Sequence, residues 1–343
     1  MKYEAAKLKD ISKVLGLSVS TISRALNDSY EISEKTKKIV REYAEKINYR
    51  PNPVAVSLRE KRSRSIGVII AEIANSFFSQ MINGVESVAH AKGYNVIITQ
   101  TLESYEREVS NLNFLASRSV DGCLISVSTE TRNYDHITNL HQRGFPFVCF
   151  DRIIDELKTH KVSIDNFKGA YDATTELAKR GFKRIAMLGN AEHLSITQQR
   201  LGGYKKALND AGLMFDEVLV RYCMHGGMIY AEVEEAMNTL LGLRKKPDTL
   251  FAASDKLTTN FVRYCIAKKI SIPNKLGLVG FSNLDLTDLL TPPLSVIRQP
   301  AFEMGKIAAE LLIKLIEAKR PPAEFESKVL LPELLIRGSS KKK

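Results

Sequence analysis

Between residues 65 and 282 the chain repeats one pattern, a short run of consecutive apolar residues followed by a longer amphipathic stretch. The runs are SIGVIIAEI, YNVIITQ, VDGCLISV, FPFVCFD, RIAMLGN, VLVRYC, DTLFAAS and LGLVGFS. A strand that is apolar on both sides must be covered on both sides. Runs of this kind separated by helical patterns therefore belong to parallel sheets with helices on each face. There are more of them than one doubly wound sheet takes, so they are divided into two similar α/β lobes. Sheets of this type hold small molecules beyond the carboxyl ends of their strands, and a two-lobed body is expected to close on a ligand.

Ahead of this body the residues read differently. Helical spacing predicts Leu8 to Leu15, Val19 to Leu26, and Glu34 to about Ile47, with Ser18 and Ser33 as N-caps and Gly16 ending the first helix in a left-handed conformation. Ile39, Val40, Tyr43, Ala44 and Ile47 form the stripe of the third helix that is expected to cover the other two. A short turn between two helices of this length is a helix-turn-helix, whose second helix enters a DNA major groove. In GLSVSTISRALN, Ile22, Ala25 and Leu26 face the bundle. Ser18, Val19, Ser20, Thr21, Ser23, Arg24 and Asn27 are left as DNA-facing candidates: short hydroxyls reach phosphates or bases without holding the helix away, and Arg24 can grip a guanine with two hydrogen bonds.

Charge supports this division. Residues 1 to 65 carry 15 Lys and Arg against 8 Asp and Glu, most of the net charge of +11, while the body is nearly neutral. A basic module on a neutral body suits a polyanion at one end and a different partner at the other. Next comes NYRPNPVAVSLREKRSRS, a basic linker broken by two prolines.

These motifs carry a resemblance. LKDISKVLGLSVSTISRALN, ISEKTKKIVREYAEKINYRPN, SLR and SIGVII are similar to the lactose-repressor (LacI/GalR) family of bacterial transcription regulators. The similarity continues through NSFF, DR, SIDN, RLGGYKKAL, LVGFS and LTPPLSVIRQP. It implies a small all-α helix-turn-helix headpiece (1–50), a hinge helix and linker (51–64), and a body of two doubly wound parallel-sheet lobes resembling periplasmic sugar-binding proteins (65–338), with a basic tail (339–343). The lobes are expected at about 65–163 with 295–325, and 164–294 with 326–338. In the family the hinge folds on DNA and two copies enter the minor groove together, which makes Asn52, Ser57, Leu58 and Arg59 further DNA-facing candidates, with Leu58 wedged between base pairs. Lys7 and Val56 depart from residues common in relatives, a capping Thr or Ser and a hinge Arg.

For the body the resemblance implies a small-molecule effector, a sugar or sugar derivative, held by Asn75, Phe77, Phe78, Asp151, Arg152, Asp165, Arg200, Ser254, Asp255 and Ser282. Aromatic faces suit a sugar or base, and Arg with Asp suit adjacent hydroxyls. Phe77 and Phe78 equally fit core at a helix start, and Asp255 equally fits an N-cap. Ser282 and Asn283 stand where many relatives have an acidic residue, and Ser254 where many have Asn, so the identity of the effector stays open. So does its sign, inducer or corepressor.

A regulator that binds a pseudo-palindromic double-stranded operator as a homodimer is the leading reading. A dimer is expected over a tetramer because no apolar heptads follow LLIRGSS. The alternative is a sugar-uptake receptor of the same body fold, which would have no use for the headpiece and would need a signal segment that MKYEAAKLKD does not supply. No cofactor and no catalysis are expected, since no G-x-G-x-x-G, G-x-x-x-x-G-K-[ST] or nucleophile triad is evident. Cys123, Cys149, Cys223 and Cys265 are spread as reduced core residues, the six His lack metal-ligand spacing, and no apolar run spans a bilayer; a cytoplasmic protein is expected.

Overall fold

Local chemistry sets the limits of the three headpiece helices, α1 (Leu8–Leu15), α2 (Val19–Leu26) and α3 (Glu34–Lys46). A computed structural model describes residues 7–50, 62–320 and 322–341. Ser18 and Ser33 accept the backbone N–H groups of Thr21 and Thr36, and Gly16 closes α1 at φ +64°. Lys7 has no side-chain acceptor to offer α1. Asp10 compensates in part by accepting the Lys7 backbone N–H at 2.8 Å. Ile11, Ile22, Ala25, Val40 and Ala44 are buried together, with Leu26, Tyr43 and Ile47 against them. Ile39 is a correction to the expected stripe: it is 44% exposed, because Val40, Tyr43, Ala44 and Ile47 already occupy the inward arc.

The described residues form two compact units, one up to Ser63 and one from Arg64. In the second, six strands make each of two sheets. The N-lobe sheet contains β1 (Ser65–Ile70), β2 (Asn95–Gln100), β3 (Gly122–Ile125), β4 (Phe147–Phe150), β5 (His160–Ile164) and β11 (Ser327–Leu330). The C-lobe sheet contains β6 (Ile185–Gly189), β7 (Val220–Tyr222), β8 (Thr249–Ala252), β9 (Gly277–Phe281), β10 (Ser295–Arg298) and β12 (Glu333–Leu335). The strand orders correspond: β2-β1-β3-β4-β5-β11 and β7-β6-β8-β9-β10-β12. All pairs are parallel except β10 with β12. Order reverses between β1 and β3, and between β6 and β8, so each lobe has its crevice there.

The helices between them are α4 (Ser76–Ala91), α5 (Tyr105–Ser117), α6 (Asp135–Gln142), α7 (Asn166–Lys179), α8 (Ser195–Asp210), α9 (Tyr230–Gly242), α10 (Asp255–Ala267) and α11 (Ala301–Glu317). Two lobe assignments are corrected. Residues 295–298 pair with β9 and belong to the C-lobe, and residues 327–330 pair with β5 and belong to the N-lobe. Ser339 and Ser340 are not tail either: they are buried, Ser339 receiving the Ser295 N–H at 2.7 Å and donating to the Leu278 carbonyl at 2.8 Å. The chain thus crosses between lobes after Ile164, after Arg298 and after Leu330.

Glycine decides two helix crossings. A Cβ on Gly84 of α4 would lie 2.0 Å from the Phe302 carbonyl oxygen on α11, and one on Gly305 of α11 would lie 2.0 Å from that of Met81. Only backbone can fit there. The C-lobe repeats the device between α7 and α8, where a Cβ on Gly203 would meet the Phe167 carbonyl oxygen at 2.2 Å. The four cysteines are buried, and no helix among the described residues is long and apolar enough to cross a membrane.

Candidate functional sites

On the headpiece, α2 offers a polar leading face. The Ser12 hydroxyl donates to the Leu17 carbonyl at 2.6 Å, fixing the turn, and Ser18 then starts α2. Val19, Ser20, Arg24 and Asn27 are exposed, while Thr21 and Ser23 are half-buried. Some of the candidate donors are already engaged: Ser18 Oγ lies 2.8 Å from both Ser20 Oγ and Thr21 Oγ1, and Asn27 donates to the Ser23 carbonyl at 2.6 Å. The Arg24 guanidinium is ion-paired with Glu31 at 2.7 Å. Lys37, unremarked in the sequence, is buried between Glu34 at 2.7 Å and Asp28 at 3.0 Å, whose carboxylates hold its ammonium above the ordinary lysine range. Asn52, Ser57, Leu58 and Arg59 lie outside the described residues.

In the body the candidate side chains follow the carboxyl ends of strands: Asn75 beyond β1, Asp151 and Arg152 beyond β4, Asp165 beyond β5, Ser254 and Asp255 beyond β8, and Ser282 beyond β9. Arg200 projects from the first turns of α8. It is buried, donating Nε to Asn166 Oδ1 at 2.9 Å, Nη1 to the Ala253 carbonyl and Nη2 to Gln299 Oε1 at 3.4 Å, with its guanidinium 3.7 Å above the Phe281 ring. Burial pushes its pKa down to about 10, with the Asp151 charge opposing, so it stays a cation at neutral pH. Burial likewise raises the Asp151 carboxyl against the pull of Arg152 and Arg200. Asp151 stands at φ +58° and receives the Ser126 hydroxyl at 3.4 Å.

Arg152 meets Glu103 through two hydrogen bonds, 2.6 and 2.8 Å, and the Val127 carbonyl at 2.9 Å. Burial works against its charge, and Glu103 outweighs burial and raises its pKa. Asp255 is the first residue of α10 and Ser254 is its N-cap, so the capping alternative for Asp255 is corrected. Ser282 donates to Asp255 at 2.8 Å, and burial still raises the Asp255 carboxyl above its usual range. Asn75 and Asp165 are N-caps, of α4 and α7. Phe77 and Phe78 are core residues, their rings edge to face at 5.1 Å.

Lobe meets lobe through polar pairs. Asn283 donates to Gln80 Oε1 at 2.8 Å while Gln80 donates to the Asn283 carbonyl at 3.0 Å, and Lys256 is 2.7 Å from Glu72. The body also holds polar groups that the sequence does not single out, Thr129, Asn190 and Thr197, alongside Arg152, which it does. Among the described residues, Thr129 Oγ1 and Arg152 Nε of the N-lobe, and Asn190 Oδ1 and Thr197 Oγ1 of the C-lobe, are buried without a hydrogen-bond partner. Two of them, one from each lobe, lie beside Gly226, where an added Cβ would stand 3.7 Å from Thr129 and 3.8 Å from Asn190 Oδ1, with Glu103 Oε1 at 3.2 Å. One signal could have found Thr129 and Asn190: each is a polar residue just past the end of an apolar run.

A helix-turn-helix unit and a paired α/β body with polar groups facing across its cleft define a transcription regulator with a periplasmic-binding-protein-like domain. The chain belongs to the lacI family of bacterial regulatory proteins. The family's model matches residues 7–52, and the model of the periplasmic binding protein-like domain matches residues 174–340. The chain is 31% identical to the transcriptional repressor CytR of Escherichia coli K12, over 98% of this chain and 97% of the relative. It is also 31% identical to the transcriptional regulator RegA of Clostridium saccharobutylicum, over 98% and 99%. Among solved structures, the regulator CelR in complex with cellobiose superposes with a TM-score of 0.72 at 27% identity, covering 97% of this chain and 99% of that one. The lac repressor dimer bound to operator shares the fold, with a TM-score of 0.80 at 21% identity over 98% and 99%.

Proposed function

We propose that this chain is a repressor that binds a pseudo-palindromic operator as a homodimer, through α2 and the linker segment, and that a polar small molecule between its lobes controls operator affinity. The observation that carries the effector half is the set of buried polar atoms without partners drawn from both lobes: Thr129, Arg152, Asn190 and Thr197. Leaving such atoms unsatisfied costs about 1–3 kcal/mol each, and a ligand with hydroxyl or amide groups repays that cost. A sugar or sugar derivative fits this need, and a cellobiose complex of a relative supports the class. Arg152 with Glu103 fixes one wall, Arg200 with Asn166 and Gln299 another. The effector acts by binding one lobe arrangement better than the other, so its leverage equals its differential affinity. No chemical step is required, and the protein works where the chromosome is, in the cytoplasm.

Mapping the genomic fragments retained by the protein, followed by a thermal-shift screen of sugars and nucleosides, tests both halves. Operator affinity is expected to fall as ionic strength rises, because Lys and Arg contacts release counterions; a salt-independent affinity would contradict phosphate binding by the headpiece. Arg24→Ala is expected to cost about 1–3 kcal/mol and relax preference at one position per half-site. Equal losses on operator and random duplex would make Arg24 a phosphate contact only.

A further inference from the structure

We propose that Glu31 is the positioning residue for Arg24: it holds the guanidinium where α2 presents it, and so sharpens discrimination at the base pair Arg24 meets. This rests on the reading of α2 as the base-reading helix. The ion pair joins Arg24 Nη1 and Glu31 Oε2 at 2.7 Å, between α2 and the turn that leads to α3.

The turn is the rigid partner. Ser29 donates its backbone N–H to the Arg24 carbonyl at 3.0 Å, and the Glu31 N–H reaches Ser29 Oγ at 3.4 Å. Asp28, at φ +60°, is tied to Lys37 at 3.0 Å and to Arg41 at 2.8 Å, both on α3. Ile32, next to Glu31, packs against the headpiece core. The Glu31 backbone is therefore held on both sides, which confines the reach of its shorter side chain, whereas Arg24 has a long flexible stem. Without a partner, that stem samples many rotamers, and their loss on binding lowers the gain from each base contact.

The contact leaves Arg24 able to read. A guanidinium has five N–H donors, and one Nη1 contact leaves others for the paired acceptors of guanine. The Arg24 and Glu31 side chains are 59% and 44% exposed, so water weakens the pair, which biases the rotamer without withholding it from DNA. A carboxylate on a surface offered to phosphates also repels every DNA equally. Glu31 therefore trades general affinity for discrimination, and the two effects can be separated.

The test uses the full-length protein. A randomised duplex library is selected with wild type, and the recovered duplex, its single-base-pair variants and a random duplex are then titrated with wild type, Glu31→Gln and Arg24→Ala. Arg24→Ala identifies the base pair that Arg24 reads. At that pair, Glu31→Gln is expected to lose about two- to fivefold of discrimination, the range an exposed ion pair can supply, while its affinity for random duplex stays equal or rises. Unchanged discrimination in Glu31→Gln, with discrimination lost in Arg24→Ala, overturns the positioning role and leaves the base-reading helix intact. A loss in Glu31→Gln at a different base pair also overturns it, since Glu31 would then touch DNA itself. If Arg24→Ala loses discrimination nowhere, the reading of Arg24 fails first and the proposal with it.

Discussion

Gly84→Ala should destabilise the body by about 3 kcal/mol or more, although it adds a single methyl group to a helix. In an exposed helix the same change stabilises, by about 0.5–1 kcal/mol, through lost freedom of the unfolded chain. Here the methyl carbon would stand 2.0 Å from the Phe302 carbonyl oxygen, and 3.0 Å from the Lys306 nitrogen, so α4 and α11 must move apart. They cannot do so locally. Met81 and Val85 on one helix and Met304, Ala308 and Leu312 on the other are buried around the crossing, and separation opens that core. Gly202→Ala is the control: its methyl group would meet only the Phe167 ring edge at 3.5 Å, and the stability should change little or rise. Denaturant titration of the three proteins decides it. A wild-type midpoint for Gly84→Ala would show that the helices have slack the structure does not reveal.

Arg200→Ala should have the second large effect, a loss of about 3 kcal/mol in stability together with loss of the response to effector. From the sequence, the substitution is expected to leave effector-free operator binding nearly intact. The structure adds a cost to that picture. Truncation leaves Asn166 Oδ1, the Ala253 carbonyl and Gln299 Oε1 without their shared donor and uncovers the Phe281 face. Arg200→Lys keeps the charge, yet one ammonium cannot span three acceptors in a fixed planar fork, so it should recover only part of the stability and none of the response. The measurement is unfolding by denaturant alongside operator titration with and without the effector that the thermal-shift screen finds. Wild-type stability and wild-type response in Arg200→Ala would remove Arg200 from the site.

What was legible in the sequence was the chemistry that acts over a few residues. Ser18, Ser33 and Gly16 mark helix ends because capping is local, and the observed limits of α1 and α2 match them. Apolar runs marked most body strands for the same reason. The run HKVSI of β5 escaped because polar side chains alternate with apolar ones in it, as its burial does. β10 and β11 were placed in the wrong lobes because periodicity says that a segment is a strand and is silent on which distant strand it will pair with. In the cleft, charged residues such as Arg152 and Arg200 stood out, whereas Thr129 and Asn190 are ordinary residue types whose significance comes from their meeting across the lobes beside Gly226. The Arg24 to Glu31 pair was hidden likewise, since it depends on how one turn folds back.

The threefold crossing of the chain between lobes also dictates an order of events during synthesis. The headpiece core is complete once Tyr49 has emerged, and among the described residues nothing later in the chain contributes to it. Neither lobe has that independence. The N-lobe strands β1 to β5 are made first, yet α11, which packs on β3, β4 and β5, and β11, which closes the sheet, come from residues 301–330. The C-lobe in turn waits for β12 and for Ser339 and Ser340 to seal β10. An apolar face of the N-lobe sheet therefore stays bare on the nascent chain until α11 emerges, an exposure that favours aggregation over folding during that interval.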